Sequence, residues 1–190
     1  MSTTNKNIKE LIKRCKNGDR KSQMMLYNNY CKAMYNVSFR IVKDRFIAED
    51  IMQESFLTAF SKLNDLKNEE TFGAWLKRIV VNNSISYYKR EQNHIEVGID
   101  QVLYKIEDDS DFEEAMEEQH TSSYKNINAS TLKNSLSTIK ESYEMALTLH
   151  YIEGYDYDEM CEILNISYAN CRTLLSRAKA SLKKKLQHAS

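Results

Sequence analysis

The stretch that decides the fold is "DYDEMCEILNISYANCRTLLSRAKASLKKKL", which runs from Asp156 to Leu186. Asp156 with Glu159 three residues later has the pattern of a capping box, which begins a helix. We expect this helix to end at Leu164, and Ser167 has a side chain that caps the next helix. A short helix, a short turn and a longer helix together predict a helix-turn-helix unit.

The second helix of this unit has two contrasting faces. Small and apolar side chains recur on the face predicted to pack inward, which comprises Cys171, Leu174, Leu175, Ala178 and Leu182. The outward face near the N-terminal half carries Tyr168, Arg172, Thr173, Ser176 and Arg177. Six basic residues and no acidic residue follow Ser167. Since Lys and Arg displace the counterions of DNA phosphates, this pattern favours a helix that enters the major groove. A solvated basic face that complements the helix dipole is the alternative interpretation, and it suits residues 183–185 in part.

The composition predicts an all-α fold of two small helical domains. The 190 residues include no proline and only four glycines, so helix breakers are few. Apolar periodicity predicts an N-terminal bundle with helices over residues 8–16, 20–42, 47–66 and 71–90. A C-terminal helix-turn-helix domain of four helices follows. The predicted boundaries are 1–90 for the first domain, 91–123 for a flexible acidic linker with a transient helix over 112–118, and 124–190 for the second domain.

A formal net charge of zero conceals a strong separation of charge along the chain. Residues 1–90 contain 17 basic and 9 acidic side chains, whereas residues 91–120 contain 11 acidic side chains and one lysine. Residues 121–190 are again basic, with 9 basic and 7 acidic side chains. This distribution predicts two modules that meet a polyanion, joined by a segment that does not bind it in the same way.

Other functional classes find little support in the residues. No apolar run approaches the length of a membrane span and no signal peptide is visible, so we expect a soluble cytoplasmic protein that does not insert into membranes. The four cysteines show no CxxC motif and no spaced histidine, which predicts buried thiols and no metal site. The four histidines are scattered and no glycine-rich phosphate loop is present, so we expect no enzyme and no cofactor.

Both halves of the chain resemble the extracytoplasmic-function (group IV) sigma factors of bacterial RNA polymerase. "AEDIMQESFLTAF" resembles the family's core-binding helix, and "FGAWLKRIVVNNSISYYKR" is similar to its −10 melting and recognition helix. "YEMALTLHYIEGYDYDEMCEILNISYANCRTLLSRAKASL" is similar to its −35 module. The resemblance covers about residues 8–90 and 132–186. It implies a factor that binds core RNA polymerase and directs it to specific promoters.

The resemblance also implies which residues meet polymerase and the −10 element. The β′ clamp coiled coil of core polymerase would be held by Asp50, Met52, Gln53, Glu54 and Leu57. Without the resemblance, the polar residues among these would be ordinary solvent-facing side chains. The −10 non-template strand would be melted and held by Asn64, Thr71, Trp75, Arg78, Asn82, Asn83, Ser86, Lys89 and Arg90. Stacking can offset the cost of flipping a base, and asparagine amides can pair with an adenine edge.

Some aromatic and linker residues leave two interpretations open. Phe72 and Trp75 fit either the core of the bundle or a wedge between bases. Only one tryptophan stands where primary sigma factors carry a pair, which implies weaker melting and stricter promoter choice. By resemblance the acidic linker threads the active-site and RNA-exit channel of polymerase, while a plain tether repelled by DNA explains the same residues.

In the −35 module, the resemblance places Arg172, Thr173 and Arg177 at positions that face DNA. Cys161 stands where the family usually has alanine, and Cys171 where it usually has valine. Because these two positions pack together, a disulfide between them is a hypothesis beside the ordinary one of two buried thiols. The family further implies an anti-sigma factor as a partner.

A competing interpretation is a helix-turn-helix regulator that binds an operator without polymerase. In that case the first module would serve for dimerisation or ligand sensing, and two-fold half-sites are expected. Such a regulator would shift its operator unaided. A sigma factor alone should bind duplex promoter poorly and direct transcription only when core polymerase is added.

Overall fold

The computed structural model describes residues 2–95 and 128–188, with the side chains of residues 8–92 and 128–187. Its described segments are helices and their connections, with no strand among them. The chain divides into two compact units after Ile95. None of the helices in the described ranges has the length and apolarity needed to cross a membrane. These features confirm the predicted all-α fold.

The first unit consists of four α-helices with two short 3₁₀ turns before the last one. The helices are α1 (Ser2–Lys16), α2 (Arg20–Val42), α3 (Arg45–Ser61) and α4 (Phe72–Ile95). Residues 91–95 of the predicted linker are therefore helical. The rest of that linker and the predicted helix over 112–118 lie outside the described residues.

Local residue chemistry explains where these helices begin. Gly18 adopts the left-handed region with φ of 81° between α1 and α2. Asp19 then caps α2, since its carboxylate accepts from Lys21 N at 3.0 Å and from Ser22 Oγ at 2.7 Å. Asp44 caps α3 in the same way, accepting from the backbone N–H groups of Phe46 and Ile47.

Helix α3 is shorter at its C-terminus than the predicted helix over 47–66. After Ser61 the chain continues as a 3₁₀ turn over Leu63–Asp65, in which Asp65 N donates to Lys62 O at 2.9 Å. Asn64 and Asp65 favour turns over helix interiors because their side chains compete for backbone hydrogen bonds. A second 3₁₀ turn over Glu69–Thr71 leads into α4. The segment from 62 to 71 is therefore a structured loop.

The core of the first unit lies where α2 packs against α3 and α4. Fully buried side chains from all four helices fill it, namely Ile12, Leu26, Ile41, Phe56, Phe72, Leu76, Val80 and Val81. Burial of such side chains contributes roughly 1.5–3 kcal/mol each. Ser84 Oγ is also buried, and it donates to Val80 O at 2.8 Å and pairs with Ser38 Oγ at 3.0 Å. The packing places the remaining faces of α3 and α4 in solvent.

Residues 128–188 of the second unit form four α-helices, as predicted. They are α5 (Ala129–Leu136), α6 (Glu141–Leu147), α7 (Tyr157–Leu164) and α8 (Tyr168–His188). Helix α6 continues into a π-helical turn over Thr148–Ile152, where the sequence predicted one uninterrupted helix. Gly154, with φ of 78°, then reverses the chain, and His150 Nδ1 donates to Tyr155 O at 2.8 Å. The core of this unit includes Ala146, Leu149, Met160, Cys171, Leu175 and Ala178.

Candidate DNA and polymerase surfaces

Helices α7 and α8 form the predicted helix-turn-helix. The capping box is present, because Glu159 N donates to Asp156 Oδ1 at 2.8 Å and Asp156 N donates to Glu159 Oε2 at 3.1 Å. Asn165 ends α7 in the left-handed region with φ of 58°, a conformation that asparagine tolerates. Its N–H and that of Ile166 both donate to Cys161 O. The turn geometry is thus fixed by backbone hydrogen bonds.

The start of α8 is held by Ser167. Ser167 Oγ accepts from Asn170 N at 3.3 Å, and its carbonyl oxygen accepts from Cys171 N at 2.9 Å. This confirms the predicted cap. It also sets the residue at which α8 begins.

The two faces of α8 are divided as the sequence predicted. Cys171, Leu175 and Ala178 are completely buried and Leu174 nearly so, while Leu182 is half-buried. The predicted reading face comprises Tyr168, Arg172 and Ser176, which are exposed, and Thr173 and Arg177, which are half-buried. We call these five residues the reading face. Thr173 Oγ1 donates to Ala169 O at 3.0 Å, so this hydroxyl can only accept a further hydrogen bond.

Helix α4 presents the predicted −10 residues in two different environments. Asn82, Ser86 and Arg90 are exposed, whereas Arg78 and Lys89 are half-buried. Burial lowers the pKa of the Lys89 ammonium. The exposed residues recur at intervals of four, so they share one face of the helix.

Asn83 is oriented into the first unit. Its Nδ2 donates to Ser55 Oγ at 2.9 Å, and Ser55 Oγ in turn donates to Ile51 O at 2.6 Å inside the bundle. The donor end of the amide therefore joins α4 to α3. Of the two neighbouring asparagines, Asn82 is the one that offers a complete exposed amide for the predicted adenine contact.

The two aromatic residues with open interpretations differ in exposure. Phe72 is completely buried and packs edge-on against Tyr30 with ring centroids 5.3 Å apart, which makes it a core residue. Trp75 is half-buried, with its ring centroid 6.1 Å from that of Phe72. The wedge interpretation therefore applies to Trp75 alone.

The loop over residues 62–71 presents polar side chains above two buried leucines. Leu63 and Leu66 anchor it in the core, while Asn64, Lys67 and Asn68 are exposed. Thr71, also exposed, donates from Oγ1 to Asn68 O at 2.8 Å. The structure thus brings Asn64 and Thr71 into one rigid loop at the N-terminus of α4.

Contacts from α1 to this loop were missed by the sequence analysis. Lys16 Nζ donates to Leu66 O and to Glu69 Oε1, both at 3.3 Å, and Lys9 Nζ lies 2.8 Å from Glu70 Oε1. A backbone hydrogen bond at Glu69 itself and the Lys16 ammonium hold the pKa of the Glu69 carboxyl below its usual range. The adjacent glutamates in the loop and the lysines at helical spacing on α1 were the available signal. Without the fold, the sequence does not show which lysine of α1 pairs with which glutamate of the loop.

The predicted polymerase-binding residues lie on α3. Asp50, Gln53 and Glu54 are exposed, and Leu57 is 70% exposed. Met52 is only 5% exposed because it packs inside the bundle. This corrects the expectation that Met52 contacts polymerase, since its side chain has almost no surface to offer.

Phe46 is an addition to this surface that the sequence analysis did not identify. It follows the Asp44 cap at the start of α3, and 80% of its side chain is exposed. Phe46, Asp50, Gln53 and Leu57 are spaced by four, three and four residues, so they lie on one face of the helix. An apolar residue outside the buried stripe was the signal in the sequence.

Comparisons with known proteins agree with both halves of this description. Residues 26–94 match the family described as Sigma-70 region 2, and residues 123–182 match Sigma-70, region 4. The sigma factor SigM of Bacillus subtilis is 28% identical over 159 residues, which cover 83% of this chain and 91% of the relative. The sigma-E factor of Haemophilus influenzae is 27% identical over 182 residues, covering 93% of this chain and 94% of the relative.

Solved structures of other proteins have a similar fold. The sigma factor RpoE of Bartonella quintana, in complex with the anti-sigma factor NepR, has a TM-score of 0.53 at 18% identity, with 86% of this chain and 96% of that chain covered. CnrH, in complex with the cytosolic domain of CnrY, has a TM-score of 0.54 at 18% identity, with 96% and 99% covered. With both sigma-70 regions matched in order, the chain belongs to the extracytoplasmic-function sigma factors of the sigma-70 type, which bind core RNA polymerase and direct it to promoters.

Proposed function

We propose that this sigma factor reads a −35 element with the reading face of α8. The observation that carries the proposal is the division of α8, whose buried side faces the core of the unit while its polar side is exposed next to a fixed turn. Arg172 is exposed and suits bidentate pairing with a guanine edge. Lys183, Lys184 and Lys185 are exposed at the far end of α8, where they suit phosphate contacts that position the helix.

The −10 element is held by α4 and the loop over residues 62–71. Asn82 and Ser86 offer hydrogen-bonding groups to unstacked bases, and Trp75 offers part of an aromatic face for stacking, worth roughly 1–3 kcal/mol per base. Arg78, Lys89 and Arg90 supply positive charge for the backbone of the separated strand. Asn64 and Thr71 stand on the loop that would receive a flipped base.

Core polymerase is held by one face of α3. Asp50, Gln53, Glu54 and Leu57 form this surface, and we add Phe46 to it. Two large exposed apolar side chains beside two carboxylates have the composition of a protein interface with an apolar centre and a polar rim. A basic or amphipathic helical partner such as the β′ clamp coiled coil fits this composition.

An anti-sigma factor is the expected regulator of this protein. The similarly folded sigma factor RpoE of Bartonella quintana was solved in complex with the anti-sigma factor NepR. The chain itself carries out no catalysis in this proposal, because polymerase supplies the chemistry of transcription.

Reconstituted transcription tests the proposal directly. Purified core enzyme is combined with this protein on genomic DNA, and start sites are mapped with and without it. We expect a new set of start sites with shared −35 and −10 sequences. If core enzyme gains no start sites, or if the protein alone shifts a palindromic operator, the sigma-factor function is wrong.

A further inference from the structure

Two cysteine thiols meet behind the reading face. Cys161 is on α7 and Cys171 is on α8, both are free thiols, and their side chains interact directly. They approach across the turn that joins the two helices. Two thiols that interact directly require only a small movement to reach the geometry of a disulfide.

The two thiols differ in access. Cys171 is completely buried, whereas Cys161 is half-buried and reachable from solvent. The main chain at Cys161 is fixed because its carbonyl accepts from both Asn165 and Ile166. A small oxidant therefore meets Cys161 first, with the sulfur of Cys171 already behind it.

We propose that Cys161 and Cys171 are a redox site, in which a hydroperoxide joins them as a disulfide that weakens binding to −35 DNA. The effect on DNA rests on the proposed function of α8. Formation of the disulfide does not rest on that function, so disulfide formation and its effect on DNA binding can be tested separately.

The chemistry balances with hydroperoxide as the oxidant. The Cys161 thiolate attacks one peroxide oxygen, the O–O bond breaks, and Cys161 becomes a sulfenic acid as hydroxide or alkoxide leaves. The Cys171 sulfur then attacks the sulfenic sulfur, its proton joins the departing hydroxyl as water, and an S–S bond forms. Burial and the neighbouring Cys161 raise the pKa of the Cys171 thiol to about 11, so Cys171 is protonated at neutral pH and acts second.

The structural consequence falls on the reading face. A disulfide brings the sulfurs to about 2.05 Å, closer than any non-bonded contact between them. Since α7 is fixed at Cys161 by the turn, the adjustment falls on α8, where Arg172 directly follows Cys171. A displacement of about 1 Å is enough to break bidentate pairing with a base edge.

Mass spectrometry tests whether the disulfide forms. No lysine or arginine lies between Lys140 and Arg172, so trypsin releases both cysteines in the single peptide 141–172. After treatment of the full chain with hydrogen peroxide, this peptide should lose two hydrogens and resist alkylation, and dithiothreitol should reverse both changes. A Cys161 sulfinic acid with Cys171 still alkylated would overturn the proposal.

DNA binding tests the consequence. The chain is oxidised, freed of peroxide and then combined with fresh core enzyme. We expect at least a tenfold loss of affinity for a promoter with its −35 duplex and no change on a template that has only a single-stranded −10 region. Full affinity of the disulfide form for the −35 promoter would overturn the inference.

Three variants serve as controls. Cys161→Ala and Cys171→Val should make −35 binding insensitive to peroxide. Cys31→Ser, which changes a half-buried thiol of α2 in the first unit, should leave the response intact. A peroxide response that persists in Cys161→Ala would assign the effect to another residue. Failure of the reduced chain to direct transcription would instead contradict the proposed function.

Discussion

Arg172 and Lys184 lie on the same helix and carry the same charge, yet they should contribute differently to DNA binding. Both are exposed, so replacement by alanine should leave the fold unchanged. Arg172→Ala should cost about 1–3 kcal/mol and relax base preference at one −35 position, because a base-edge contact is lost. Lys184→Ala should weaken all promoters nearly equally and reduce the slope of log affinity against log salt by about 0.9.

Holoenzyme binding to a set of promoters, each with one −35 base changed, measures both effects. Wild-type protein on the same set is the reference. If Arg172→Ala and Lys184→Ala lose affinity in the same way across the set, the assignment of the reading face is incorrect.

Two neighbouring asparagines of α4 provide a second test at this scale. Asn83→Ala should lower the free energy of unfolding of the first unit by about 1–3 kcal/mol, because it leaves the buried Ser55 hydroxyl without the amide donor. Asn82→Ala should change that free energy by less than about 0.5 kcal/mol, since Asn82 is exposed. It should instead weaken retention of a single-stranded −10 oligonucleotide by the holoenzyme. Urea unfolding and oligonucleotide binding separate the two, and an unstable Asn82→Ala would contradict the assignment.

Single residues show where sequence reasoning succeeds and where it stops. The buried and exposed sides of α8 followed from the periodicity of its own residues. Met52 follows Ile51 in the buried apolar pattern of α3, and only the resemblance assigned it to the polymerase surface. Asn83 could not be placed by periodicity, because it is adjacent to the exposed Asn82 and its orientation depends on packing between α3 and α4. Helical spacing identifies the buried face of a helix to within one residue. Which of two neighbouring residues is buried depends on the packing between helices.

At the scale of elements, the loop over residues 62–71 depends on α1. Lys16→Ala should speed backbone hydrogen exchange in this loop, because the Leu66 carbonyl and the Glu69 carboxylate both lose the ammonium that holds them. Capture of the single-stranded −10 element should weaken in parallel. Lys16→Arg should restore much of both, and Lys32→Ala, which removes an exposed lysine of α2, is the matched control.

The same contact predicts a pH dependence. The pKa of Glu69 is lower in the folded protein than its ordinary value of 4.5, so the stabilisation from its ionised form is complete above that value. It is lost as the pH falls through the lowered pKa. Loop exchange, corrected for its intrinsic pH dependence, should therefore rise on acidification in wild-type protein and respond less in Lys16→Ala. Equal responses in the two proteins would argue against the contact.

Helix boundaries were predictable where local chemistry sets them. The caps at Asp156 and Ser167 and the turn at Asn165 depend on residues three or four apart, which the sequence displays. The contact of Lys16 with the 62–71 loop does not have a local cause. Lys16 and Leu66 are 50 residues apart, so the contact exists only after the unit has folded.

At the scale of the whole molecule, polymerase binding and promoter reading belong to different surfaces and should fail differently. Asp50→Ala with Glu54→Ala should weaken affinity for core enzyme while leaving thermal unfolding unchanged, because both side chains are exposed. Transcription should then fall on every template, including one already melted at −10, and should recover when the variant is supplied in excess. Arg172→Ala should behave in the opposite way, with normal core affinity and a defect on the recognised −35 sequence that excess protein does not repair. Glu10→Ala, another exposed acidic change, is the control. By mass action, a defect in assembly disappears when the protein is saturating, whereas a defect in base reading remains. Unchanged core affinity in the double variant would mean that α3 does not hold polymerase.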